Sequence, residues 1–262
     1  MDAKPQPGLL HIPAATGLTL HSSGSGIVAR ARRDAANSTS NPHYLQGLAQ
    51  YNAADFTAAA ASFLRAANQG HVESQYLLST LYEAGTGVPP DLDAAATWAR
   101  KAADQGHPYA QASVSYQHYA AGQFAEAFAW CQRAADNGLA WAQFNLGLMY
   151  RKGEGVPQSD AEAVYWYRLA ALQEHAEAQQ KLADLYSLGL GIPRSYTQAA
   201  TWYRRAADQG NAEAQFQLGL LYQTGLGVDQ DYTEYRTWTR QAALQGHEEA
   251  VREVKRREYR DA

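Results

Sequence analysis

Cysteine is almost absent: Cys131 is the only one in 262 residues. That excludes an internal disulfide framework and any zinc site built from several thiolates. No run of 18 apolar residues occurs, so no membrane-spanning helix is expected. An excess of basic charge is missing too. Lys and Arg number 22 against 26 Asp and Glu, a formal net charge of -4, whereas a general nucleic-acid binder carries a basic surface. What the chain does have is apolar content, 46% hydrophobic against 18% charged residues, enough for a packed core over most of its length. Gly (21) and Tyr (17) are frequent, and their placement is periodic.

One phrase recurs. Ala102-Ala103-Asp104-Gln105-Gly106-His107 returns, with small changes, at Ala66–His71, Ala134–Leu139, Ala170–His175, Ala206–Asn211 and Ala242–His247. Its fifth position falls at 70, 106, 138, 174, 210 and 246, so the spacings are 36, 32, 36, 36 and 36. Trp98, Trp130, Trp166, Trp202 and Trp238 each stand four residues before the phrase, and Tyr82, Tyr150, Tyr186 and Tyr222 keep register with them. Self-similarity at such a period marks a stacked repeat architecture.

Each unit reads as two helices. Helix A is clearest over Ala142–Tyr150, where Ala142, Leu146 and Met149 make an apolar stripe of helical period. Gly147 sits inside it, at a cost of roughly 1 kcal/mol relative to Ala. Ser79, Ser115, Ala183 and Gly219 fill the same slot, which points to close helix–helix approach. Helix B is clearest over Ala161–Leu172, with Trp166, Leu169 and Ala170 on one face. Connectors such as Gly153-Glu154-Gly155-Val156-Pro157 end helix A, because Gly permits positive φ and Pro prevents continuation. Asp91, Asp160 and Asp231 then stand where helix B needs a cap. The 32-residue unit lacks this connector, and the first unit is similarly short.

The long units resemble Sel-one-like repeats, relatives of the tetratricopeptide repeat with a longer inter-helix loop. The shared pattern is A-x-x-x-L-G-x-x-Y-x-x-G-x-G-V followed by A-x-x-W-x-x-x-A-A-x-Q-G-H, and it spans about residues 43 to 250. The two short units resemble ordinary tetratricopeptide repeats. The resemblance implies an all-α, right-handed α-solenoid of about six helix-turn-helix repeats with a C-terminal capping helix. It also implies that the A helices line a concave surface. Neighbouring units must stack, since a lone helix pair cannot bury its apolar faces.

The expected organisation is a flexible arm over 1–40, the helical repeats over 41–247 and the capping helix over 248–262. The arm lacks helical periodicity and carries Lys4, Arg30, Arg32 and Arg33 against Asp2 and Asp34. As a secretion signal it is interrupted by His11, Pro13, Thr16 and Gly17. A cytoplasmic location is favoured over an exported one.

Chemistry-bearing motifs reduce to structure. The G-x-G segments follow a helix rather than a strand and recur with each repeat, so they read as connectors and not phosphate loops. His71, His107, His175 and His247 are register-equivalent, and residues one repeat apart cannot converge on one metal. Cys131 has no positioned base and reads as a small apolar residue. The tryptophan column reads as core. No catalytic residue, cofactor or metal is therefore expected. The S-x-x-K and S-D-N partners of penicillin-binding enzymes are missing.

Three helix-A columns stay variable: Glu73, Tyr109, Trp141, Glu177 and Glu213; Leu77, Ser113, Asn145, Lys181 and Gln217; Thr80, Tyr116, Leu148, Asp184 and Leu220. Variable residues in a repeating frame can encode specificity. Tyr109, Tyr116, Trp141, Asn145 and Leu148 are the expected partner-binding residues, since aromatics are enriched in hot spots; for Trp141 packing under a neighbouring helix is the competing reading. The expected function is a monomeric, non-catalytic adaptor that binds a protein or peptide in its groove. The resemblance leaves two alternatives, an immunity protein that neutralises a secreted bacterial toxin and a hydrolase or penicillin-binding-type enzyme.

Overall fold

The computed structural model describes residues 41–261, so the expected arm at 1–40 lies outside the described residues. The described residues are all-helical. They pack as two compact units, one ending at Asn137 and one beginning at Gly138.

The first unit holds α1 (Pro42–Asn52), α2 (Phe56–Asn68), α3 (Val72–Ala84), α4 (Leu92–Asp104), α5 (Pro108–Ala120) and α6 (Phe124–Asp136). The second holds α7 (Ala140–Lys152), α8 (Asp160–Leu172), α9 (Ala176–Leu188), α10 (Tyr196–Asp208), α11 (Ala212–Thr224), α12 (Tyr232–Leu244) and α13 (Glu248–Asp261). Odd-numbered helices up to α11 are the A helices and even-numbered ones the B helices. Each A helix packs on the B helix that follows it, and each B helix packs on the next A helix of its own unit. The all-α class and the helix-pair repeat thus stand as the sequence indicates.

The alanine pairs of the recurring phrase explain the close stacking. Ala66, Ala67, Ala102, Ala103, Ala134, Ala135, Ala170, Ala171, Ala206 and Ala207 are all buried. In the second unit the core joins Tyr167, Leu182, Leu185, Trp202, Tyr203, Leu218 and Trp238. In the first, Phe63 and Leu81 form one cluster, and Val114 and Trp130 another. Trp130, Trp166, Trp202 and Trp238 are buried as expected; Trp98 is half-buried, with Lys101 4.0 Å over its ring.

Gly147 is a contact residue. A Cβ there would lie 2.5 Å from the Tyr167 ring, so helix A can approach helix B only without a side chain. The same slot pairs Gly47 with Phe63, at 2.6 Å. Helix-B caps differ slightly from expectation: Asp91 and Asp231 cap α4 and α12, but Ser159 caps α8. Asp160 sits one residue inside α8 and pairs instead with Arg151.

Candidate functional site

Three A helices, α3, α5 and α9, and the last helix α13 begin with a histidine cap that the register alone did not suggest. His71, His107, His175 and His247 each accept a backbone N–H three residues on through Nδ1, at 3.1–3.3 Å. Nδ1 must carry a lone pair to accept, so this cap is made by the neutral tautomer with its proton on Nε2. His107 and His247 use that Nε2–H to donate to Glu73 and Glu213, at 3.0 and 2.9 Å. Each ring also lies against an aromatic side chain of the preceding A helix: Tyr44, Tyr76, Phe144 and Phe216. Burial pushes His71 and His175 below the ordinary histidine value, with Glu73 and Glu177 opposing. Cys131 is fully buried, and burial pushes its thiol up to about 12, so it carries no thiolate at neutral pH.

A second feature joins successive repeats. Gln75, Gln111, Gln143, Gln179 and Gln215 are buried on the A helices. Each accepts from the fourth residue of the next phrase: Gln105, Asn137, Gln173, Gln209 and Gln245 donate at 2.7–2.9 Å. Gln75, Gln111, Gln179 and Gln215 in turn donate to the second alanine carbonyl of the preceding phrase. These glutamines went unread in the sequence, although their spacing of 36, 32, 36 and 36 residues was there to find.

Tyr109 and Tyr116 stand exposed on α5 in the first unit, at 36% and 39%. The Tyr109 ring lies 6.0 Å from Tyr76. Trp141 and Leu148 are half-buried on α7 in the second unit. Asn145 departs from the expected exposed column, being 0% exposed with neither end of its amide hydrogen-bonded. The reason is positional: it lies three residues after Ala142 and four before Met149, and both are fully buried. Residues at those offsets share a helix face, so Asn145 belongs with the core stripe.

The second unit contains a pocket of about 380 Å³. Leu148 and Arg151 come from α7, Tyr167 from α8, Lys181, Asp184, Leu185, Ser187 and Leu188 from α9, Tyr203 from α10 and Gln217 from α11. Four of these, Leu148, Lys181, Asp184 and Gln217, belong to the variable columns. Asp184 Oδ1 accepts from the Tyr203 hydroxyl at 2.7 Å, and Oδ2 accepts from Gln180 Nε2 at 2.6 Å. Lys181 Nζ stands 3.6 Å from Oδ2. Burial pushes the Asp184 carboxyl above the usual carboxylate range, against the pull of Tyr203 and Lys181. Burial likewise pushes the Tyr167 and Tyr203 hydroxyls up. Burial also acts to raise Glu213, but hydrogen bonds from His247 and Gln217 bring it below the usual range.

Tyr167 and Tyr203 follow the repeating tryptophans directly, in a slot otherwise filled by Phe63, Ala99, Cys131 and Thr239. The pocket opens where that slot carries a tyrosine in successive repeats.

The Sel1 repeat family model matches residues 72–107, 108–139, 142–175, 176–211 and 212–247. The 32-residue unit, which in sequence resembles an ordinary tetratricopeptide repeat, is therefore matched as a Sel1 repeat. Among solved structures, the chain is 33% identical to c5321 of uropathogenic Escherichia coli, a protective antigen with an SLR fold, at a TM-score of 0.75. That match covers 85% of this chain and 50% of the E. coli protein, so the chain spans half the length of that relative. A Sel1 repeat protein from Oxalobacter formigenes is 27% identical with a TM-score of 0.72, covering 80% of this chain and 85% of that one. No curated protein matches the sequence. Sel1 repeats are as a class protein-interaction scaffolds, typically without catalytic activity. Five matched repeats and the identity to c5321 carry one conclusion: the chain belongs to the Sel1 repeat family.

Proposed function

We propose that the chain is a non-catalytic adaptor that holds a protein or peptide along its helix-A face. One observation carries this reading: the variable helix-A residues Leu148, Lys181, Asp184 and Gln217 line a single pocket, with leucine, tyrosine and charged side chains together. Repeating positions serve the stack, whereas these residues differ from repeat to repeat. A pre-formed helical surface has little to order on its own side, which lowers the cost of binding. Tyr109 and Tyr116 in the first unit, and Trp141 and Leu148 in the second, are the further contact residues of this proposal. Asn145, fully buried, is no contact residue of this proposal.

The test is site-specific crosslinking. A photoreactive residue at Leu148 or Gln217 should capture a polypeptide, and one at the exposed helix-B residues Leu172 or Leu244 should not. Capture through Leu172 and Leu244 alone would overturn the helix-A reading.

A further inference from the structure

Several donors in the pocket of the second unit are engaged internally, and acceptors remain in its lining. The Tyr203 hydroxyl proton and one Gln180 N–H are engaged by Asp184 at 2.7 and 2.6 Å. Gln217 donates one Nε2–H to Glu213 at 2.8 Å, which leaves its second N–H and its side-chain carbonyl. Ser187 donates to the Asp184 backbone carbonyl at 2.8 Å, which leaves its hydroxyl lone pairs. Tyr167 is 1% exposed, and the charge of Arg151, opposed by those of Asp184 and Asp160, acts on its hydroxyl. Tyr203 faces Asp184, whereas the residue 36 positions before Asp184 is Leu148, so Tyr167 lacks the carboxylate that its counterpart has. Two cations remain in the lining. Arg151 is held by Asp160. Lys181 is 41% exposed and only loosely placed, 3.6 Å from Asp184.

We propose that this pocket takes an arginine side chain of the bound polypeptide, with its guanidinium on the Asp184 carboxylate and the Tyr167 oxygen and its methylenes along Leu148 and Leu185. The proposal rests on the adaptor reading above. A guanidinium offers five N–H donors and no acceptor, which complements the acceptors of the lining, and its planar fork suits a carboxylate. Asp184 is the group that gains most, because burial holds its charged form at a disadvantage that Tyr203 and Lys181 offset only in part. A cavity of about 380 Å³ admits such a side chain. A carboxylate guest would instead meet Asp184 and, beside Gln217, Glu213. Lys181 is the resident competitor, and its exposed ammonium moves into water when the guest enters.

The competition fixes opposite signs for two substitutions. N-acetyl-argininamide is titrated into the full 262-residue chain and followed by amide chemical shifts, with the citrulline and glutamate counterparts as controls. The arginine probe should bind saturably and the two controls should not. D184N should weaken it about tenfold, as expected when a charge-assisted pair is lost. K181M should tighten it about threefold, by removing a weak competing ion pair. Y167F should weaken it severalfold, and it stands in for D184N if that variant fails to fold. Preference for the glutamate probe, with binding lost in K181M, would overturn the proposal. So would equal affinity of the arginine probe for wild type, D184N and Y167F. A polypeptide crosslinked at Gln217 that binds D184N and Y167F as tightly as wild type would overturn the arginine pocket and leave the adaptor reading standing. Capture of none at helix-A positions would instead remove the adaptor reading.

Discussion

At the residue scale, His71 and His175 make the stability of the fold respond to acid. A protonated ring has a hydrogen on Nδ1 and can no longer accept the helix N-terminal N–H. Burial lowers His71 and His175 below the ordinary value in the fold, so protonation favours the unfolded chain. Their contribution to stability is therefore full above the unfolded pKa of about 6.5. It falls as pH drops from there through the folded values. Asn211 does the same capping work without titrating, accepting from Ala214 N–H at 2.8 Å. Thermal melts from pH 8 to 5 should show a decline below about pH 6.5 in wild type that is reduced in the His71→Asn, His175→Asn double variant. An unchanged pH profile would contradict the capping role. Glu174 is the second residue of interest. It stands at φ +61 where five other repeats have glycine, and its carboxylate accepts from Gln179 at 3.0 Å. Left-handed strain costs about 1 kcal/mol, and the contact is part-exposed, with Gln179 keeping the Ala171 carbonyl as partner. Glu174→Gly should raise the denaturation midpoint slightly, and a lowered midpoint would show that the Gln179 contact outweighs the strain.

At the element scale, the glutamine ladder ties successive helix pairs within each unit through polar contacts buried beside alanine pairs. Gln179 is 0% exposed and accepts from Gln209 while donating to the Ala171 carbonyl. Gln179→Leu leaves that carbonyl without its side-chain donor and Gln209 without its acceptor. The loss should be about 1–3 kcal/mol, read by chemical denaturation, and a neutral result would mean that water or shape compensates. The helices themselves were legible in sequence. The helix A read over Ala142–Tyr150 runs Ala140–Lys152, and the helix B read over Ala161–Leu172 runs Asp160–Leu172. Gly147 disclosed its close contact because a helix-interior glycine needs a physical reason. The pocket was half legible. Leu148, Lys181, Asp184 and Gln217 stood out as non-repeating, but Tyr167 and Tyr203 were hidden beside the repeating tryptophans. Whether that slot is core or cavity wall depends on what faces it across the pair, Leu148 or Asp184, and period alone does not show that. Asn145 was misplaced because its column varies from repeat to repeat, while its spacing to Ala142 and Met149 placed it in the core.

At the scale of the whole chain, each unit is a short stack in which nearest neighbours supply the core and the A helices supply the variation. Stability in such stacks is a sum of local terms, so substitutions at variable helix-A positions can change recognition while leaving the repeats folded. Recognition is proposed to reside on that face. Hydrogen–deuterium exchange of the full chain, with and without a bound polypeptide partner, tests it most directly. Slowed exchange is expected in α5, α7, α9 and α11, with α8, α10 and α12 unchanged. Protection confined to α8, α10 and α12 would contradict it.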